Sequence, residues 1–225
     1  MNRVALIGGG GFGREVLGYL QQDLKSGKAE SIEIIAVIDD NLECETARCN
    51  PELAVFSAVR DIPDWKNCQF LIAIGSVRLR RKVAAELLSL DVKPFRYVHS
   101  SVLVADDATI GSGCIVAPGT IVNAGAVIGD FCAINVYCSI AHGATIGSCS
   151  VLSPYCIVNG DASIGEGCFL GTRSTIYPRV HIGSDCIVDT HAYVKKSIGD
   201  RKIVSVRCNY LELDNRLGGH RESSE

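Results

Sequence analysis

The sequence predicts two parts built on different principles: a small α/β domain of parallel strands, then a solenoid of short strands and turns. Three observations carry this. The chain opens on "VALIGGGGFGREVLGYL", which reads as strand, glycine turn and helix. Two more strand-like runs, "IEIIAVIDDN" and "FLIAIGS", follow before residue 97. From Val98 to Val194 every sixth residue is Val, Ile or Leu, a period that no amphipathic helix has.

The opening turn contains Gly8, Gly10 and Gly13 in a GxGxxG spacing. Such a turn lets backbone amides at the start of a helix approach a phosphate or sugar, where the helix dipole favours negative charge. The second strand ends in Asp39 and Asp40, carboxylates suited to ribose hydroxyls or a base edge. The third ends at Gly75 and leads into the helical "VRLRRKVAAELLSL". Three or four parallel strands are expected. NAD is the literal reading of GxGxxG, but fewer than a hundred residues supply only half of a dinucleotide fold, so a nucleotide or nucleotide sugar fits better. A purely structural glycine turn is the remaining reading.

In the second part the sixes run VHSSVL VADDAT IGSGCI through to VKKSIG, seventeen in all. Their fifth column is mostly small and holds six of the chain's eleven cysteines. Glycine fills many second positions, among them Gly111, Gly129 and Gly147, where corners tolerant of unusual backbone angles are expected. Without a CxxC pair or a tight Cys/His cluster, the cysteines read as reduced packing residues of a reducing compartment. An inert structural solenoid is the plain alternative, but the outward columns form no regular threonine ladder.

Composition narrows the partners. A net charge of -3 and a balanced spread of Lys and Arg give no field for nucleic acid. No run is long enough for membrane insertion, and "VALIG" lacks the flanks of a secretory signal, so a cytoplasmic location is expected.

These sixes resemble the hexapeptide repeat of left-handed β-helix acyltransferases. With "GGFGREV", "IDDN" and "IAIG" ahead of them, and "IN" seven residues before a histidine, residues 3 to 197 resemble the hexapeptide-repeat sugar O-/N-acetyltransferases of the sialic-acid O-acetyltransferase and bacillosamine or perosamine N-acetyltransferase type. The resemblance implies a Rossmann-like nucleotide-sugar-binding domain at 1–97, a left-handed parallel β-helix at 98–197, and a C-terminal extension and tail at 198–225. It also implies acetyl-CoA as co-substrate, no metal, and a homotrimer with sites between subunits. Outward aromatics Phe131, Tyr137, Tyr155 and Phe169 are the expected contacts between copies.

By the same resemblance His142 is the general base of direct acetyl transfer. It is third in its hexad and therefore outside the inward column, and a neutral imidazole suits proton removal near pH 7. Backbone N–H groups at a corner would meet the oxyanion. A surface turn histidine is the ordinary alternative. Gly10, Gly11, Phe12, Asp39, Asp40, Gly75 and Asn135 match substrate positions, with a corner asparagine ladder as the other reading of Asn135. Gly160, Thr172 and Thr190 match the CoA groove.

The chain departs from the family pattern three times. Gly143 stands where an acidic residue often follows the histidine, so another group must orient the ring. Val151 replaces a second histidine, and "SVRCNYLEL" replaces a "GxPA" loop. A non-catalytic trimeric nucleotide-sugar sensor is the reading these departures favour. A zinc enzyme of the γ-carbonic-anhydrase kind is disfavoured, because His99, His142, His181, His191 and His220 include no close pair.

Overall fold

The computed structural model describes residues 2–27 and 32–206. In the N-terminal part β1 (Asn2–Ile7), α1 (Gly11–Lys25), β2 (Ile32–Ile38), α2 (Glu45–Cys49), β3 (Ala54–Phe56), β4 (Gln69–Ile72), α3 (Val77–Ser89) and β5 (Lys93–Pro94) alternate along the chain. The five strands form one parallel sheet in the order β3-β2-β1-β4-β5. Helix α1 lays Val16, Leu17 and Leu20 on one face of it. Helix α3 lays Ala84 and Leu87 on the other. Both sheet faces are therefore covered, which is why β1 and β4 read as unbroken apolar runs. The five strands exceed the three or four expected, because Ala54–Phe56 and Lys93–Pro94 are too short to show periodicity.

From Tyr97 the chain winds as a left-handed parallel β-helix of two-residue strands, each paired in parallel with the strand eighteen residues on. Three sheets result. The first face runs from Tyr97–Val98 through Ala133–Ile134 to Ile203–Val204. The second runs from Leu103–Val104 through Ser139–Ile140 to Tyr193–Val194, and the third from Thr109–Ile110 through Thr145–Ile146 to His181–Ile182. Inward aliphatics from Val116 to Val194 fill the core. Each contributes about 1.5–3 kcal/mol of burial. Val104 departs from that column at 40 % exposed, because it lies on the terminal coil with no earlier strand of its sheet beside it. Ile203–Val204 lies past the regular sixes and pairs with Ile187–Val188 across a step of sixteen.

The fifth column does more than pack. Cys114, Cys132, Cys138, Cys156 and Cys168 each point a thiol at the carbonyl fifteen residues on, at 3.0–3.2 Å. Thr120 and Ser150 donate to the equivalent carbonyls. Cysteine here is a small apolar residue with a weak donor, which suits a dry corner.

The glycine corners differ from expectation. Positive φ falls in the fourth column, at Gly113, Gly119, Gly125 and Gly143 but also at Phe131, Tyr137, Asp161 and His191. The second-column glycines are needed for close approach between coils instead. A Cβ on Gly129 would sit 2.7 Å from the Ser148 nitrogen, and one on Gly147 2.5 Å from that of Glu166.

Two buried clusters fix the halves to each other. Arg80, with no exposed surface, donates to the carbonyls of Ile74 and Ile72 in its own domain and of Phe131 in the β-helix, at 3.0, 2.7 and 3.0 Å. Burial lowers its guanidinium to about 10, so it stays cationic at neutral pH. Asp23 on α1 accepts from the Tyr97 hydroxyl at 2.9 Å and from the Ser100 hydroxyl at 2.6 Å. This docking corrects one expectation. Phe131 is buried beneath the chain's own N-terminal domain, and Phe169 is half-buried beside α3. Only Tyr137 and Tyr155 of the four aromatics remain exposed, stacked with ring centroids 5.1 Å apart.

Candidate active site

In the sheet order β3-β2-β1-β4-β5 the chain reverses direction between β1 and β4. Open parallel sheets bind ligands at such a point, beyond the carboxyl ends of their strands. A cleft of about 570 Å³ lies there. Gly10, Gly11, Phe12, Asp39, Asp40 and Gly75 all line it.

The GxGxxG turn divides its labour. Gly8 has φ +106°, and a Cβ on it would strike the Ala73 carbonyl at 2.7 Å. Gly13 packs against the Gly8 carbonyl, closing helix onto strand. Gly10, the N-cap of α1, has open space where a Cβ would stand. The backbone at Gly10 is thus open and α1 carries no acidic residue of its own in its first turn, while the Glu45 carboxylate beside Gly11 is paired with Arg14 at 2.9 Å. Asp39 is partly occupied, since its oxygens accept the N–H groups of Gly9 and Asn41 at 2.7 and 2.9 Å. It holds the glycine turn in shape and keeps lone pairs for a hydroxyl.

Sequence reasoning missed Leu79, Lys82 and Glu86, which line the same cleft from α3. Their spacing of three and four after Gly75 puts them on one helix face, a signal present in the sequence.

His142 lies at the edge between the second and third faces, in the turn joining Ser139–Ile140 to Thr145–Ile146. Its side chain is 72 % exposed. The ring rests on Gly160 of the next coil, where a Cβ would fall 2.5 Å from its Cε1 and Nε2. Its Nδ1 lies 4.0 Å from an Oδ1 of Asp161. The Asp161 N–H donates to the His142 carbonyl at 3.0 Å, tying the two coils at this point.

Within one chain the remaining predicted residues do not join it. Asn135, Thr172 and Thr190 follow strands of the first face, so they sit at the edge between the first and second faces. Asn135 turns its Oδ1 to the N–H of Val136 at 2.8 Å. The corner ladder is built by Asn123 and Asn159 instead, whose amides donate to Ile140 and Ile176 at 3.0 and 2.7 Å. Val151 is buried on the first face. Residues 207–225, which include His220 and most of "SVRCNYLEL", lie outside the described residues. Among the described residues no group of three or more His, Cys, Asp or Glu is placed to hold a metal ion, and no helix is long and apolar enough to cross a membrane.

A small Rossmann-like domain with an open cleft at its switch point, docked on a left-handed β-helix with an outward histidine, defines the class: a two-domain protein with a hexapeptide-repeat β-helix. The comparisons with known proteins agree. The PglD N-terminal domain model matches residues 3–87, and the bacterial transferase hexapeptide (six repeats) model matches residues 161–196. GDP-perosamine N-acetyltransferase of Escherichia coli O157:H7 is 29 % identical over 118 residues, 52 % of each chain. UDP-N-acetylbacillosamine N-acetyltransferase of Bacillus subtilis strain 168 is 32 % identical over 121 residues, 52 % of this chain and 51 % of that one. The chain spans about half the length of the curated relatives it matches. PerB from Caulobacter crescentus, solved with CoA and GDP-perosamine, aligns with a TM-score of 0.78 and 27 % identity over 90 % of this chain and 93 % of that one. The acetyltransferase domain of PglB from Neisseria gonorrhoeae FA1090 shares the fold, with a TM-score of 0.78 and 24 % identity over 90 % and 96 %. The resemblance to sugar O-/N-acetyltransferases read from the sequence thus finds a match in each half of the chain, and the curated relatives it matches are sugar N-acetyltransferases.

Proposed function

We propose that this protein transfers the acetyl group of acetyl-CoA to the amino group of a nucleotide-linked sugar, with His142 as general base. The observation that carries the reading is the cleft at the sheet's switch point, lined by all six N-terminal residues expected to hold a nucleotide sugar, in a chain whose β-helix presents an unencumbered imidazole. The two curated relatives named above are N-acetyltransferases, and PerB holds CoA and GDP-perosamine.

In this reading the glycine turn and the start of α1 take the phosphates, while Asp39 and Asp40 accept from the ribose or base. The sugar nitrogen attacks the thioester carbonyl carbon and forms the C–N bond. The neutral His142 ring removes the proton that the nitrogen sheds. Backbone N–H groups at the coil corner meet the charge on the carbonyl oxygen. Collapse of the tetrahedral adduct breaks the C–S bond, and the imidazolium returns the proton to the CoA sulfur. No covalent enzyme intermediate forms, so the buried thiols take no part. Burial pushes Cys168 up to about 11, far from a reactive thiolate.

The cleft and His142 do not meet within one chain, and neither do His142 and the edge bearing Asn135, Thr172 and Thr190. A homotrimer bringing the edge of one copy to the cleft of another completes the site in this reading. The second face supports association, since it exposes Leu103, Ile121, Ile157 and Tyr193 in one stripe. The groove for CoA then runs between β-helices past Gly160, Thr172 and Thr190. The cytoplasm, where acetyl-CoA is available, is the proposed location.

The test is thiol release from acetyl-CoA with UDP- or GDP-linked 4-amino sugars. Turnover lost in His142→Ala supports the reading. Thermal stabilisation by a nucleotide sugar without turnover or CoA binding supports the sensor instead.

A further inference from the structure

We propose that Asp161 is the positioning residue of His142, supplied from the following coil in place of the acid missing at Gly143. The role rests on the acetyltransferase reading, but the placement rests on geometry alone. Residues 125, 143, 161 and 179 are eighteen apart and stack on the His142 edge, as Gly, Gly, Asp and Arg. All four have positive φ, from +58° to +67° within this ladder. A Cβ on Gly143 would collide with Oδ1 of Asp161. Absence of a side chain at 143 is thus what admits the carboxylate to the space beside the imidazole.

Gly160 packs against the same ring, since a Cβ on it would fall 2.5 Å from Cε1 and Nε2, so the absence of a side chain there is what lets the imidazole sit against the next coil. The carboxylate meets Nδ1 and leaves Nε2, the nitrogen away from it, to take the proton from the substrate. Holding Nδ1 as the protonated nitrogen is what a base acting through Nε2 requires. The 4.0 Å separation is outside hydrogen-bond range, and a rotation of either exposed side chain closes it. Catalytic hydrogen bonds are often long before substrate binds.

Three other aspartates of the β-helix are already committed. Asp130 accepts from the Ser112 N–H, Asp185 pairs with Arg81, and Asp200 accepts from the Ser184 N–H, each at 2.8 Å. The carboxylate of Asp161 has no such bond among the described residues, and its Oδ1 lies 4.0 Å from Nδ1 of His142. Arg179, the next rung, makes no ion pair with it among the described residues.

The experiment is nitrogen NMR of the full-length protein with ¹⁵N-labelled histidine, at about pH 8–9 where an ordinary imidazole is neutral. In the wild type the His142 signal is expected to report mainly the Nδ1–H tautomer. Asp161→Gly keeps the positive φ and should return the ring to the Nε2–H form that free imidazole side chains favour in water. Asp161→Asn preserves shape without charge and is expected to lower kcat about tenfold with little change in KM, while Asp161→Glu recovers most of it. An unchanged tautomer in Asp161→Gly would overturn the proposal even in an active acetyltransferase. A shifted tautomer in a protein that transfers no acetyl group would uphold it and reject the proposed function instead.

Discussion

The N-terminal cleft and the His142 edge differ in how much of a site one chain can finish. In the cleft, six residues from three strand ends converge because a parallel sheet gathers the loops after its strands at one side. On the β-helix, residues close in sequence are sent to different edges. Asn135 and His142 are seven apart and leave the coil at different corners, whereas His142 and Asp161 are nineteen apart and touch. A sheet edge collects chemistry along the chain, and a three-sided coil collects it every eighteen residues.

The largest effect expected from this contrast falls on the edge. His142→Ala should lower kcat by about 10²–10⁴ while nucleotide-sugar affinity, measured by calorimetry, stays near wild type. Gly10→Glu should do the reverse. It fills open space without a protein clash and repels phosphate, so affinity is lost while thermal stability is kept.

A second group of predictions concerns the joint between the two regions. Arg80→Met leaves the carbonyls of Ile72, Ile74 and Phe131 without their buried donor, and should cost roughly 3–5 kcal/mol in urea unfolding. Asp23→Asn should cost about 1–3 kcal/mol at pH 7. Burial alone would raise the Asp23 carboxyl, but bonds from Ser100 and Tyr97 outweigh it and hold it below its ordinary value. Its folded value therefore lies below its unfolded one, so its contribution is present above about pH 4 and fades as pH falls through the folded value. Wild type and variant should converge in unfolding curves taken in acid.

The smallest effect is chemical. Among the described cysteines Cys49 is exposed and the others are buried, so a brief iodoacetamide pulse should label Cys49 and spare the fifth-column thiols.

How much of this the residues announce depends on the kind of signal. Glycine spacing and acidic strand ends are local, and Gly10, Asp39 and Gly75 could be assigned to one cleft from their positions alone. The period of six was equally plain, down to its small fifth column. The period of eighteen, which sets each residue beside the one a full coil on, is not visible within any single hexad. It alone shows that Gly111 and Gly129 are contacts between coils rather than corners, and that Asp161 stacks on Gly143. Burial of Phe131 could not be read at all, because it depends on which face the other domain covers.

Subunit complementation tests the central claim most directly. His142→Ala and Gly10→Glu, each inactive alone, are co-expressed and the mixed oligomers are assayed for CoA release. If the edge of one copy serves the cleft of another, mixed assemblies regain a substantial fraction of wild-type turnover. If mixed oligomers form and stay as inactive as either parent, the site is not shared between copies and the account is wrong.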